Sequence, residues 1–135
     1  MANYVLDSYA LLAFFRDEPG ADIVEKLLNE AAEDKHELYI TAVNAGKVYY
    51  ISYRKDGAAK ADLAWEALKK FPLHVIDVDL HFSLAAAKIK AGNKLSYADA
   101  FAAALTIQKK ATLITGDDEF DSLIGKTGFK VKYII

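Results

Sequence analysis

The sequence contains no cysteine, only two prolines, and no long hydrophobic run. Without cysteine, disulfides and thiolate-bound metals are excluded, and the absence agrees with a reducing compartment. No apolar stretch approaches the roughly 20 residues that a transmembrane helix requires. The start of the chain also lacks the basic and apolar regions of a signal peptide. We therefore expect a cytoplasmic protein with no membrane association.

The charges are nearly balanced, with 17 Lys and Arg against 19 Asp and Glu and a net charge of −2. A general nucleic-acid-binding protein is usually basic, so the balance argues against that class. It does not exclude a nuclease, because an acidic metal site subtracts charge that bound cations restore. The 135 residues, 53% of them hydrophobic, predict one globular domain covering 1–135 with a core of its own.

Short apolar segments alternate along the chain with segments of helical periodicity. This alternation is typical of an α/β fold, in which helices cover both faces of a mostly parallel sheet. The third helix is apolar almost all round, which indicates a buried helix or an interface. The predicted strands are 4–6, 37–40, 73–78, 111–115 and 129–135, and the predicted helices are 8–16, 21–34, 42–55, 58–70, 79–91 and one that begins after Ser96.

Acidic residues occur where predicted strands end and where the sixth helix begins. Asp7 ends the first strand, Asp117 and Glu119 follow the fourth, and Asp99 lies three residues after Ser96. In open α/β sheets, ligands bind at the carboxyl ends of the strands. Each acid also has a purely structural explanation: a helix N-cap for Asp7, a capping box for Asp99, and a turn for Asp117. The combination of the acids is more informative than any one of them.

Carboxylates gathered without a neutralising base repel one another unless a hard divalent cation lies between them. Oxygen ligands suit Mg²⁺ or Mn²⁺, which activate water and hold a scissile phosphate. We therefore predict that Asp7, Asp99 and Asp117 are metal ligands, directly or through water, and that Glu119 binds a second ion or orients the attacking water. Asp118 and Asp121 are interpreted as surface acids.

Four segments together resemble the PIN-domain ribonucleases, and most closely the VapC-type toxins of toxin–antitoxin pairs. They are VLDSYALLAFF around Asp7, TAVNAGKVYYI around Lys47, LSYADAFAAAL around Asp99 and LITGDDEF around Asp117. The resemblance implies a three-layer α/β/α sandwich and Mg²⁺- or Mn²⁺-dependent endonucleolytic cleavage of RNA. It also implies a homodimer, and inhibition by a cognate antitoxin whose C-terminal segment occupies the active-site groove. It makes Asp7, Asp99 and Asp117 metal-binding acids and places Glu119 at the auxiliary acidic position.

Lys47 departs from the family pattern, which has an acid at this position of the early helix. An ammonium close to the carboxylates would be attracted to them and would partly take the place of the metal cation. One interpretation is a ribonuclease that Lys47 attenuates or inactivates. The alternatives are that Lys47 extends to solvent beside Arg54, or that the chain is a catalytically degenerate PIN fold that binds RNA or a protein. Receiver domains and Asp-x-Asp phosphatases are set aside, because Ser8 and Tyr9 follow Asp7.

Overall fold

A computed structural model of the chain describes residues 1–126 and 128–135, and its strands and helices alternate along these residues. In chain order the elements are β1 (Ala2–Leu6), α1 (Ser8–Phe15), α2 (Ala21–Ala32), β2 (His36–Thr41), α3 (Ala42–Asp56), α4 (Ala58–Lys70), β3 (His74–Ile76), α5 (Leu80–Gly92), α6 (Tyr97–Gln108), β4 (Thr112–Thr115), a 3₁₀ helix (Asp118–Leu123) and β5 (Lys130–Tyr133).

Every predicted strand and helix is present, but some limits differ. The sequence pattern predicts the third strand over 73–78, whereas only His74–Ile76 is a strand. β3 lies at an edge of the sheet and pairs on one side only, with β2, so fewer of its residues are held in the ladder. The 3₁₀ helix after β4 was not predicted, because its acid-rich sequence reads as a turn.

The five strands form one parallel sheet in the order β3-β2-β1-β4-β5. The central strand β1 pairs with β2 on one side and with β4 on the other, so that Tyr4 lies opposite both Leu38 and Thr112. The strand order therefore reverses beside β1, and such a switch point is where open α/β sheets bind ligands. The predicted α/β class is confirmed, and all strand pairs of the described residues are parallel.

Two apolar clusters cover the two faces of this sheet. Neighbouring strand residues belong to different clusters: Val5 and Leu113 to one, Leu6 and Ile114 to the other. This division follows from the period of two along a strand, where successive side chains point to opposite faces. The predicted layering, with helices on both faces of the sheet, follows from it.

Helix α6 is the most deeply buried of these helices, because every residue from Asp99 to Thr106 is buried. Its small alanines let the helix lie close to its neighbours, and it contacts β1, β2 and β4 as well as α3 and α5. The carboxylate of Asp99, in the first turn of this helix, therefore lies inside the protein. Among the described residues, no helix has the length and hydropathy needed to cross a membrane.

Candidate functional site

Asp7 is a buried carboxylate between β1 and α1, with only 1% of its surface exposed. Its Oδ1 atom accepts a hydrogen bond from the Ala10 backbone N–H at 2.9 Å, so Asp7 is the N-cap of α1. Its other oxygen accepts a hydrogen bond from the Thr115 hydroxyl. The pKa of Asp7 is raised to about 7, mainly by burial and to a smaller extent by the charges of Asp99 and Asp117, while the two hydrogen bonds oppose the rise.

Asp99, Asp117 and Glu119 lie together at the carboxyl end of the sheet. Each contributes one carboxylate oxygen to a group in which all three atoms lie within 4.8 Å of one another. Asp7 is not a member of this group of three. We call the three residues the acid cluster.

The helix cap predicted at Asp7 is present, Asp117 caps the 3₁₀ helix, and Ser96 is the N-cap of α6. The Ser96 hydroxyl caps α6 by accepting a hydrogen bond from the Asp99 N–H at 3.1 Å. The Asp117 carboxylate accepts one from the Glu119 N–H at 2.9 Å and begins the 3₁₀ helix. Capping and clustering are compatible, because the caps fix the backbone from which the carboxylates converge.

Crowding changes the proton affinity of the acid cluster. The pKa of Asp99 is raised to about 6, first by burial, which leaves the residue 3% exposed, and then by the charge of Asp117 and a hydrogen bond with Glu119. The charge of Lys47 and a hydrogen bond with Ser96 oppose the rise. These carboxylates therefore favour a proton or a cation between them.

Lys47 lies in the second turn of α3 and is partly buried. Its ammonium is near enough for its charge to lower the pKa of Asp99. Among residues 1–126 and 128–135, however, Lys47 forms no ion pair within 4.0 Å. Lys47 therefore acts on the acid cluster through its field and not through a direct salt bridge.

Thr115, the last residue of β4, is a site residue that the sequence did not single out. Its hydroxyl donates to the Asp7 carboxylate and accepts a hydrogen bond from the Asp117 N–H at 3.0 Å. One buried hydroxyl thus connects the ends of β1 and β4. The sequence shows only a β-branched residue in a strand, which is the ordinary place for threonine.

Asn44 was also missed, although it holds three elements of the site together. This residue is fully buried. Its Oδ1 accepts a hydrogen bond from the Ser8 N–H at 3.1 Å, and its Nδ2 donates to the Thr41 hydroxyl at 2.9 Å and to the Ala98 carbonyl at 3.1 Å. In the sequence it appears only within the segment TAVNAGKVYYI, three residues after the helix cap Thr41, and nothing there assigns it a role.

The donor chemistry of the acid cluster fits a hard divalent cation. Its three members offer carboxylate oxygens alone, which suit Mg²⁺ or Mn²⁺ better than softer metals. Asp99 is buried and Glu119 is exposed, so a cation bound there would be held by the protein on one side and open to solvent on the other. Asp7 would add negative charge behind the site.

Comparison of the sequence with protein-family models gives a match to the PIN domain over residues 4–126. The chain belongs to the PIN-domain family. No curated protein is similar enough to the sequence to count as a match.

Solved structures that resemble this chain include several VapC toxins. VapBC2 of Rickettsia felis, solved with a promoter DNA fragment, is 15% identical at a TM-score of 0.75, covering 97% of this chain and 98% of its own. DNA-bound VapBC of Salmonella typhimurium is 15% identical at a TM-score of 0.75, with full coverage of both chains. VapC20 of Mycobacterium tuberculosis, a toxin that cleaves the sarcin-ricin loop, is 13% identical at a TM-score of 0.73. The match covers 90% of this chain and 95% of the VapC20 chain. At these identities the similarity establishes the fold, and the expected PIN fold is confirmed.

Proposed function

We propose that this chain is a divalent-metal-dependent endoribonuclease, the toxin of a toxin–antitoxin pair, and that Lys47 attenuates it. The observation that carries the proposal is the convergence of Asp99, Asp117 and Glu119 oxygens within 4.8 Å at the switch point of a parallel sheet. Membership of the PIN-domain family supports a nuclease. The similarity to VapC20, a toxin that cleaves an RNA loop, supports RNA as the substrate.

In this proposal Asp99, Asp117 and Glu119 hold Mg²⁺ or Mn²⁺ at one edge of a single domain of residues 1–135. When bound, the ion would supply an activated water and stabilise negative charge on the phosphate. Asp7 is the fourth catalytic acid, held by Thr115 and the first turn of α1 so that its charge lies beside the ion site.

Lys47 weakens this site for an electrostatic reason. A glutamate in its place would add one negative charge, whereas the lysine adds one positive charge, a difference of two charges close to Asp99. The ammonium already relieves part of the repulsion that a divalent ion would relieve. A cation gains less by binding there, so metal affinity and cleavage fall together.

The partners proposed are RNA, a cognate antitoxin and a second copy of the chain, all in the cytoplasm. The antitoxin is supported by the structures of the Rickettsia felis and Salmonella typhimurium relatives, which are VapBC complexes. The dimer is supported by α3, in which residues Tyr50 and Tyr53 are 45% and 52% exposed.

The test is Mn²⁺-dependent cleavage of a mixed RNA pool by the chain and by Lys47→Glu, with Lys47→Glu/Asp99→Asn as the control. We expect the single variant to cut at least ten times faster than the unchanged chain, and the control not to cut. Equal cleavage by the unchanged chain and Lys47→Glu would show that Lys47 does not limit the activity.

The second candidate is a catalytically degenerate PIN fold that binds RNA or a protein without cutting. The charge of Lys47 acting on Asp99 favours this reading, because it opposes the cation that a nuclease requires. The same experiment separates the two functions. If Lys47→Glu is folded, binds RNA and leaves it intact in Mn²⁺, the binding module is the better description.

A further inference from the structure

An open cleft adjoins the acid cluster on the side of β5. It shares Asp117 with the cluster, so anything bound in the cleft lies directly beside the proposed metal ion. The wall combines two aromatic rings with a carboxylate rim, and its residues are Tyr9, Gly116, Asp117, Asp118, Asp121, Tyr133 and Ile135.

The ring of Tyr9 has a defined position in this cleft. Tyr9 is in the first turn of α1, two residues after Asp7, and 38% of its surface is exposed. The ring packs so closely on Gly116 that a Cβ atom at that position would lie 2.6 Å from the ring Cζ, which is closer than real Cβ contacts. The absence of a side chain at residue 116 thus lets an exposed aromatic ring lie beside Asp117.

A second ring, that of Tyr133 at the end of β5, lines the same cleft. Its hydroxyl donates a hydrogen bond to the Asp121 carboxylate. Asp121 was interpreted as a surface acid, and although it is exposed it has this specific partner. The cleft is therefore a prearranged recess, in which both rings are held by contacts within the protein.

We propose that Tyr9 is the stacking surface for an unpaired nucleobase of single-stranded RNA, next to the phosphate at the acid cluster. This inference rests on the proposed function and names the form of RNA that the site accepts. Aromatic rings bind single-stranded nucleic acids by stacking on bases, and RNA-binding proteins mostly recognise bases that are free of a helix.

The charges of the cleft favour a base over a phosphate. Asp117, Asp118 and Asp121 would repel a phosphate that entered the cleft, whereas carboxylates accept hydrogen bonds from the amino groups of bases. The phosphate would instead lie at the acid cluster, where a divalent ion neutralises it. A strand bound in this way has its base on Tyr9 and its backbone at the acids.

The test is the affinity of the full chain for a single-stranded octaribonucleotide that contains 2-aminopurine, whose fluorescence falls when the base stacks. Binding is measured in Mg²⁺, and the RNA is checked on a gel to be intact. We expect Tyr9→Leu to bind about tenfold more weakly and to quench less, and Tyr9→Phe to behave like the unchanged chain. Gly116→Ala should resemble Tyr9→Leu, because the added methyl group displaces the ring.

Trp65→Leu is the matched control, since Trp65 on α4 is a surface aromatic residue of similar exposure that does not line this cleft. A hairpin with the 2-aminopurine paired is already quenched by its neighbours and should lose no further fluorescence on addition of the protein; a further loss would contradict recognition of an unpaired base. Circular dichroism checks that each variant is folded.

Equal affinity and equal quenching for the unchanged chain and a folded Tyr9→Leu would overturn the stacking role and leave the nuclease proposal standing. Failure of both the chain and Lys47→Glu to bind or cut any RNA would overturn the two proposals together.

Discussion

The hydroxyl of Thr115 donates a hydrogen bond to the carboxylate of Asp7, joining the ends of two neighbouring strands that lie 108 residues apart in the chain. The same hydroxyl oxygen accepts a hydrogen bond from the N–H of Asp117. Because both groups are at the carboxyl edge of the sheet, this one side chain aligns the acid that follows β1 with the acid that follows β4. The acidic site therefore depends on a neutral residue.

Replacing this hydroxyl should destabilise the protein. Thr115→Val keeps the shape of the side chain but leaves Oδ2 of Asp7 without its donor and the Asp117 N–H without its acceptor. We expect a loss of about 1–3 kcal/mol in the free energy of unfolding above pH 7, where Asp7 is charged. Urea denaturation measures it. Thr115→Ser retains the hydroxyl and should lose less than half as much; equal losses would indicate packing and not hydrogen bonding.

The raised pKa of Asp7 predicts that the stability of the metal-free protein falls as the pH rises. Below the unfolded value of 3.8 the carboxyl is protonated in both states; between there and about 7 only the folded state holds the proton. The stabilisation that comes from the raised pKa of Asp7 is therefore fully present below pH 3.8 and is lost as the pH rises through about 7. Asp99, with its pKa raised to about 6, contributes in the same direction.

Asp7→Asn should remove the loss of stability that ionisation of Asp7 causes at high pH, because asparagine also caps a helix and carries no charge. In EDTA at pH 8 we expect the variant to be more stable than the unchanged chain by about 2–4 kcal/mol. At pH 4 the difference should be small. Urea denaturation at the two pH values measures it, and Asp22→Asn, at an exposed carboxylate of α2, is the control. An Asp7→Asn protein that is less stable at pH 8 would contradict the electrostatic account.

Asn44 should matter to stability far more than a surface asparagine. In Asn44→Ala the buried N–H of Ser8 loses its acceptor and the Ala98 carbonyl loses a donor. We expect a destabilisation of about 2–4 kcal/mol, measured by urea denaturation. Asn29→Ala, on the exposed face of α2, should change the free energy by less than about 0.5 kcal/mol. Similar values for the two variants would mean that Asn44 does not hold the site together.

Much of the fold could be predicted from the sequence because its signals are local. The alternation of buried strands and amphipathic helices, the caps Asp7 and Ser96, and the breaks after α1 and α3 all lie within a few residues of the structure that they specify. The order of the strands follows less directly. It requires knowing that β4 pairs with β1, a contact between distant segments that no local pattern encodes.

The sequence singles out the acids that lie together at the carboxyl end of the sheet, but not the residues that support them. Carboxylates at strand ends stand out in a sequence, since an acid there calls for a chemical explanation. Thr115 and Asn44 do not, because threonine in a strand and asparagine in a first helical turn are ordinary. Their importance comes from hydrogen bonds across 108 and 36 residues, which exist only after folding.

The most direct test of the central claim is a calorimetric titration of Mn²⁺ into the chain, Lys47→Glu and Lys47→Glu/Asp117→Asn. Arg54→Glu makes the same change of charge farther along α3 and is the matched control. We predict that Lys47→Glu binds Mn²⁺ at least tenfold more tightly than the unchanged chain, that the control does not, and that the added Asp117→Asn removes the gain. Equal affinities for the unchanged chain and Lys47→Glu would contradict the claim that Lys47 competes with a metal ion at these acids.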